Sequence, residues 1–540
     1  MDITAIKTEP YQDQKFGTSG LRGRTSVFMQ KNYLQNVVQS IFDSLEKFEG
    51  KTLIVGGDGR YFNDKAIQIV LKIAVANGFG RIIVGKNGWL STPALSHLIT
   101  LKNAFGGIIL TASHNPGGKD GDFGIKFNIS SGAPAPVSLT DKITAKMQKI
   151  DRFWWINEPD IELGNTGERQ IENTIIEVID PVEDYANYMQ EIFDFAAIKN
   201  LFKSGFTFTF DAMNAITGPY AKYIFEKLLG APSGSVTHEV PLPDFGGLHP
   251  DPNLVYAKHL VDKMSADDAP DFGAASDGDG DRYMILGKNF FVNPSDSLAV
   301  LAEHLPDLPY YKNQFYGVAR SMPTSNAVDL VAARRKLHVY ATPTGWKFFS
   351  NLLQNKKVTL CGEESFGSGS NHVMEKDGIW AILAWLNIVA LTHKTPQQLV
   401  TNLWQKDGRV YYSRHNYENV DAEDARHLMD SLGAQVPILK GQKFGCLKVK
   451  KAEIFTYEDP VTKNRVSNQG VIISFSNNAR VFIRLSGTGT VGATLRLYFS
   501  KLEQNFDENL DEVLAPAILA TTSILQIPKY LKMDVPTTIT

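Results

Sequence analysis

At 540 residues, the chain is too long for one hydrophobic core and implies three to five domains of roughly 100 to 200 residues each. Its composition, 43% hydrophobic and 21% charged, is that of an ordinary globular protein. A formal net charge of -3, from 55 basic and 58 acidic side chains, gives no field that would draw in nucleic acid or an anionic membrane, so an anionic ligand must be caught by local cations.

In chain order, the polar opening MDITAIKTEPYQDQK lacks the apolar stretch of a secretory signal. Cys361 and Cys446 make neither a metal spacing nor a disulfide framework, and both features predict a cytoplasmic setting. KFGTSGLRG, with Thr18, Ser19, Gly20 and Arg22, reads as a glycine-bearing polar loop. TLIVGGDGRYFNDKAIQIVLKIAVANGFGRIIVG then reads as strand, polar loop, amphipathic helix and strand. That plan recurs in FTFTFDAMNAITGPYAKYIFEKLLG and QFYGVARSMPTSNAVDLVAARRKLHVYATP. Such alternation predicts βαβ units with partly parallel sheets, hence three related mixed α/β domains, over 1–183, 184–292 and 293–405. The apolar run GIWAILAWLNIVAL, 378–391, is shorter than the ~20 residues a bilayer helix needs and contains Asn387, which predicts a buried core helix. The remainder, 406–540, has strand patterns in GVIISFSN, ARVFIRLS and ATLRLYFS before a helical tail from about Asn509, an α+β domain.

Four loops carry residues suited to chemistry. TASHNPGG follows the apolar GGIIL, at the carboxyl end of a strand, where open parallel sheets bind ligands. Ser113 is a hydroxyl able to attack phosphorus or carbonyl carbon. His114 is a proton carrier or anion donor, and residues 115–118 form a turn that bares backbone N–H groups. SDGDGDRYMIL sets Asp277, Asp279 and Asp281 at alternate positions with glycines between, so three carboxylates converge and demand a cation. Hard oxygen ligands select Mg²⁺ or Ca²⁺ over zinc. A calcium-binding EF-hand needs glycine and glutamate where this chain has Arg282 and Lys288, so that reading fails.

CGEESFGSGSNHVMEKDG offers Glu363, Glu364 and Ser365 as partners for sugar hydroxyls and Lys376 as a phosphate holder, and PTGWKFF adds Thr344 and Gly345 on a polar loop. RLSGTGTVGATLR, with Arg484, Ser486, Gly487, Thr488 and Arg496, has the small residues, hydroxyls and flanking arginines of a phosphate cradle. Its G-x-G-x-x-G match runs into the alternating ATLRLYF, a strand pattern, whereas a dinucleotide fingerprint opens a helix.

Taken together, QKFGTSGLR, TASHNPGG, DGDGDR, PTGWK, GEESFG and RLSGTGT closely resemble the α-D-phosphohexomutase superfamily and specifically its phosphoglucomutase branch. The matching motifs run from Gln14 to Arg496. The resemblance implies four domains around a central cleft and reversible conversion of α-D-glucose 1-phosphate to D-glucose 6-phosphate through a phosphoserine at Ser113, with glucose 1,6-bisphosphate as intermediate and activator. It implies Mg²⁺ held by Asp277, Asp279, Asp281 and an oxygen on Ser113. Glu363 and Ser365 become sugar-binding residues. Ser486, Thr488 and Arg496, with Arg484 and Gly487, become a clamp for the phosphate that is not reacting. Arg22, Lys126, Arg282 and Lys376 surround the transferring phosphoryl, with Thr18 and Ser19 beside Arg22. Thr344 and Gly345 sense sugar orientation, and His114 and Lys376 are candidate proton carriers.

The charge count agrees: three aspartates and a phosphoserine of about -1.5 to -2 outweigh one Mg²⁺ by roughly three charges, so basic residues must join the site. This sequence has Gly23 after Arg22, where relatives often have lysine, and Thr490 where they often have serine. Competing readings are a phosphomonoesterase, a mutase for mannose or glucosamine phosphate, and a catalytically silent scaffold. The expected partners are small sugar phosphates, with the chain a monomer or weak dimer.

Overall fold

Parallel strands covered on both faces are buried along nearly their whole length, and such strands form the centre of each of the first three sheets, as TLIVGG, FTFD and GVARS, the last two with buried polar residues among the apolar ones. The computed structural model describes residues 3–17, 19–486 and 492–540. The first sheet contains β1 (Leu21–Arg24), β2 (Thr52–Gly57), β3 (Arg81–Trp89), β4 (Gly106–Leu110), β5 (Asp122–Ile129), β6 (Gly167–Ile171) and β7 (Thr174–Ile179), in the order β1-β5-β4-β2-β3-β7-β6. Side chains alternate across β2 as the pleat requires. Leu53 and Val55 pack with residues of α1 (Tyr33–Phe42) and α2 (Asn63–Ala76), while Ile54 packs with residues of α3 (Thr92–Leu101).

The second sheet is β8 (Phe208–Asp211), β9 (Val236–Thr237), β10 (Phe272–Ser276), β11 (Tyr283–Gly287) and β12 (Phe290–Val292), in the order β9-β8-β10-β11-β12, with helix α4 (Lys258–Met264) packed on it. The third is β13 (Gly317–Ser321), β14 (His338–Thr342), β15 (Leu360–Glu363) and β16 (Gly367–Ser370), in the order β14-β13-β15-β16. One unit recurs in all three. A central strand has parallel neighbours on both sides, and one of those neighbours turns back as an antiparallel hairpin: β3-β2-β4-β5, β9-β8-β10-β11 and β14-β13-β15-β16.

The repeat has a functional consequence. TASHNPGG joins β4 to β5, DGDGDR joins β10 to β11, and the Glu364–Phe366 turn joins β15 to β16. Three loops unlike in sequence are thus the same loop of three copies of one fold, which brings them to the same end of each sheet.

Between these sheets lies α6 (Gly378–Thr392), preceded by α5 (Trp346–Gln354) in the third domain. Trp380 and Trp385 are fully buried within one apolar cluster shared by the first three domains. The start of α6 is fixed by Asp377, whose carboxylate accepts the Trp380 N–H at 3.0 Å and the hydroxyl of Tyr185, from the beginning of the second domain, at 2.7 Å. Among the described residues no helix is long and apolar enough to cross a membrane.

The fourth domain is antiparallel: β17 (Arg409–Val420), β18 (Lys443–Phe444), β19 (Leu447–Ile454), β20 (Val471–Phe475), β21 (Ala479–Ser486), β22 (Ala493–Glu503) and β23 (Thr538–Ile539), in the order β18-β19-β20-β21-β22-β17-β23, backed by α7 (Ala422–Leu439) and α8 (Leu510–Leu525). The sequence pattern finds β20, β21, β22 and α8. It passes over β17, whose alternation is blurred because several of its polar residues are buried, and over α7, which contains Pro437.

Candidate active site

Ser113 sits three residues beyond β4 with φ at 53°, a left-handed conformation uncommon for a residue with a side chain. Its setting holds it there. Its N–H donates to Thr111 Oγ1 at 2.7 Å, and its carbonyl accepts from Arg60 Nη2 at 2.7 Å. Arg60 is fully buried, bound through Nε and Nη2 to Asp58 at 2.9 Å, and Asp58 also accepts the Thr111 hydroxyl at 2.6 Å. A buried ion pair therefore clamps the serine loop from behind.

From the second domain the aspartate loop closes on that serine. The Ser113 hydroxyl donates to Asp277 Oδ2 at 2.9 Å. The approach needs glycine at 278, where a Cβ would stand 2.4 Å from the Ser113 carbonyl oxygen, and at 280, where φ is +81°. The other carboxylates are aimed by neighbouring domains. Asp279 Oδ2 accepts the hydroxyl of Thr92, at the start of α3, at 2.6 Å, and Asp281 Oδ2 pairs with Lys376 Nζ at 2.9 Å. One carboxylate oxygen from each of the three lies within 4.8 Å of the others. Burial, then Asp281 and Asp279, push the Asp277 carboxyl well above its ordinary range. Burial also works against ionised Asp281, but Lys376 and Arg282 outweigh it and hold that group low. Asp279 Oδ1 and Asp281 Oδ1 are buried without a hydrogen-bond partner among the described residues. Three converging carboxylates with unused lone pairs beside a hydroxyl are the donor set of a hard divalent cation.

Cations ring this cluster. Arg22 is half-buried on the cleft wall, its Nε enclosed without a hydrogen-bond partner among the described residues. Burial lowers its pKa, against the pull of Asp279 and Asp281. Arg282 pairs with Asp251 at 3.4 Å, and Lys126 with Glu375 at 3.1 Å. His114 Nδ1 stands 3.5 Å from the Ser113 hydroxyl. Burial, followed by Arg282, Arg22 and Lys376, drives its pKa well below the ordinary value. It is therefore neutral at pH 7 and offers a lone pair or one N–H.

The far wall comes from the third and fourth domains. Ser113, His114, Ser19, Arg22, Lys126, Asp281, Arg282 and Lys376 share one cleft of about 650 Å³ with Thr344, Gly345, Glu363, Ser365, Arg484, Ser486 and Arg496. Asp277 and Asp279 are buried and do not line the cleft. Glu363, at the end of β15, is held above the ordinary carboxylate range by burial, and Glu364 pairs with Arg414 of β17 at 3.0 Å. Arg484 of β21 and Arg496 of β22 are directly opposed across the strands. Like charges so placed repel, and an anion between them removes the repulsion. Arg484 also donates to the Thr344 hydroxyl at 2.9 Å, tying the fourth domain to the third. Thr18, Gly487 and Thr488 lie outside the described residues, as does Thr490.

Sequence reading passes over several neighbours. Asp58 and Arg60 lie in GGDGR, at the end of β2 as Asp277 lies at the end of β10, so a glycine-spaced acid after a buried strand was a usable signal. Glu375 lies in CGEESFGSGSNHVMEKDG, next to Lys376. His249 and Asp251, in the proline-flanked HPDPN, and Arg414, inside a long strand, reach the cleft only through the tertiary fold.

Three repeated α/β domains and an antiparallel α+β domain, closing a cation-rich cleft over a serine and three carboxylates, define a four-domain sugar-phosphate mutase architecture. Family models agree. Phosphoglucomutase/phosphomannomutase alpha/beta/alpha domains I, II and III match residues 13–153, 183–289 and 293–406, and the phosphoglucomutase-1 C-terminal domain matches 409–537. The chain is 53% identical to a phosphoglucomutase of Rhizobium radiobacter and 47% identical to human phosphoglucomutase-1, each over the full length of both proteins. It is similar in structure to the open form of the exocytosis-sensitive phosphoprotein pp63/parafusin, a phosphoglucomutase of Paramecium, with a TM-score of 0.93 and 46% identity over 100% of this chain and 99% of that one. The chain belongs to the phosphoglucomutase/phosphomannomutase family.

Proposed function

We propose that the protein interconverts α-D-glucose 1-phosphate and D-glucose 6-phosphate, with Ser113 as the group that lends and recovers the phosphoryl. The observation that carries this reading is the 2.9 Å hydrogen bond between the Ser113 hydroxyl and Asp277 inside the three-carboxylate cluster, facing an arginine pair across the same cleft. In this reading 1–183 supplies the serine, 184–292 the carboxylates, 293–405 the sugar contacts and 406–540 the distal phosphate grip.

The unpartnered oxygens of Asp279 and Asp281 fit Mg²⁺, which Asp277, Asp279, Asp281 and a Ser113 oxygen would hold. When bound it supplies positive charge to the phosphoryl oxygens. Arg22, Arg282, Lys126 and Lys376 supply the rest, since a loose phosphoryl-transfer transition state is helped by position and charge more than by covalent chemistry. Phosphoserine 113 gives its phosphoryl to the free hydroxyl of the bound sugar phosphate. The glucose 1,6-bisphosphate so formed turns end for end, and its other phosphate returns to Ser113. Glu363 and Ser365 hold sugar hydroxyls in either pose, while Arg484, Ser486 and Arg496 grip whichever phosphate is distal. Neutral His114, beside the serine oxygen, and Lys376 are the candidate proton carriers. The two unpaired cysteines support a cytoplasmic setting.

Glucose 6-phosphate and inorganic phosphate measured together test the reading. Product is expected to form with almost no phosphate released, and a ratio near one phosphate per turnover would make the protein a phosphatase. Competition among glucose, mannose and glucosamine 1-phosphates is expected to favour glucose.

Divalent-cation removal has a second expected outcome. With EDTA the carboxylates repel, so thermal unfolding is expected to move to lower temperature and turnover to stop. Mg²⁺ at about 100 times its Kd is expected to restore about 2.7 kcal/mol of stability. Unfolding insensitive to Mg²⁺ would contradict the assignment of the three aspartates.

A further inference from the structure

Outside the cleft, the second domain gathers Asp211, His238 and His259, none of which lines the substrate site. Asp211 is the last residue of β8 and is fully buried. His238 follows β9 in a left-handed conformation, φ 48°, and His259 stands in the first turn of α4. Each imidazole addresses one oxygen of the same carboxylate. His238 Nδ1 lies 3.0 Å from Asp211 Oδ1, and His259 Nε2 hydrogen-bonds Asp211 Oδ2. The Met213 N–H donates to Asp211 Oδ1 at 2.8 Å and fixes the carboxylate's orientation. The rings meet edge to face at 86°, centroids 4.9 Å apart, so they do not stack and their nitrogens converge. The three ligand atoms lie within 4.8 Å of one another, and the histidine side chains remain 40% and 39% exposed.

We propose that Asp211, His238 and His259 form a second metal site, selective for a transition metal such as Zn²⁺ or Cu²⁺. Two imidazoles and one carboxylate suit these ions better than Mg²⁺, which prefers all-oxygen sites. The buried carboxylate, held by a backbone N–H, supplies the anchoring charge, and the exposed outer side leaves positions for water. On binding, each imidazole proton now directed at Asp211 passes to solvent or to the other ring nitrogen, which frees a lone pair for the ion. The site has a structural reach. His238 and His259 bracket the connection 239–258, which carries His249 and Asp251 into the cleft, where Asp251 pairs with Arg282. An ion at the site would pin both ends of that connection to β8.

Copper electron paramagnetic resonance distinguishes this site from the three aspartates. With Mg²⁺ in excess and one equivalent of Cu²⁺, the wild type is expected to show hyperfine coupling to two imidazole nitrogens. His238→Ala and His259→Ala are each expected to lose one coupling, and the double variant both, with turnover in Mg²⁺ retained as proof of folding. Crystals soaked in Zn²⁺ provide a measurement that needs no variant, with an anomalous peak expected among the three side chains. An all-oxygen copper spectrum, nitrogen coupling that survives in the double variant, or an anomalous map with no peak there would overturn the proposal.

Discussion

Alanine at position 113 is expected to stop turnover while leaving the protein folded. The side chain removed is one hydroxyl, and its hydrogen bond to Asp277 contributes only about 1 kcal/mol to stability. Alanine meets the same backbone cost as serine at φ 53°. The catalytic cost is far larger, because no other hydroxyl in the serine loop reaches the carboxylate cluster. The Thr111 hydroxyl points the opposite way, into Asp58. Removing a covalent nucleophile lowers kcat by on the order of 10⁴- to 10⁶-fold. Circular dichroism and a coupled assay on Ser113→Ala check both halves. Retained turnover would remove the serine from the mechanism and leave the scaffold and phosphatase readings to be judged on the other loops.

The largest expected loss of stability belongs to Asp58→Ala. Arg60 has no solvent exposure, so the variant leaves a buried guanidinium without its counter-ion, a change that costs about 3 to 5 kcal/mol. It also frees the Thr111 hydroxyl, which positions the Ser113 N–H. A fall in kcat with little change in KM is therefore expected alongside the lower melting temperature, because the serine loses its position while the far wall stays intact. Removing both charges, in Asp58→Leu with Arg60→Leu, is expected to recover part of the stability and none of the lost kcat, since the Thr111 hydroxyl stays unanchored and the Ser113 carbonyl now also loses its Arg60 donor. Calorimetry and steady-state kinetics on the single and double variants separate these effects. A double variant with normal kcat would show that the clamp is structural only.

Much of the fold was legible because its cause is local. A short strand, a loop of small polar residues, a helix and a second strand follow one another three times, and that order of element types is readable in each copy. Even the apolar 378–391 run announced its burial by its length. The fourth domain was half legible, since β20 to β22 alternate cleanly while β17 buries polar residues such as Ser413, His415 and Asn416.

At the candidate site, the loops were readable because small residues and charge density have few local uses. Their partners were not. Thr92 meets Asp279 across 187 positions and Lys126 meets Glu375 across 249, contacts that no spacing rule reaches. The equivalence of the three hairpin loops also needed the topology, because loop length and sequence differ in each copy.

Intact mass, followed by peptide mapping, tests the central claim most directly. After incubation with glucose 1,6-bisphosphate and Mg²⁺, the wild type is expected to carry one phosphoryl group on the peptide holding Ser113, and glucose 1-phosphate is expected to remove it as bisphosphate forms. A mass that never changes, or a phosphoryl found on another residue while turnover proceeds, would contradict the role given to Ser113.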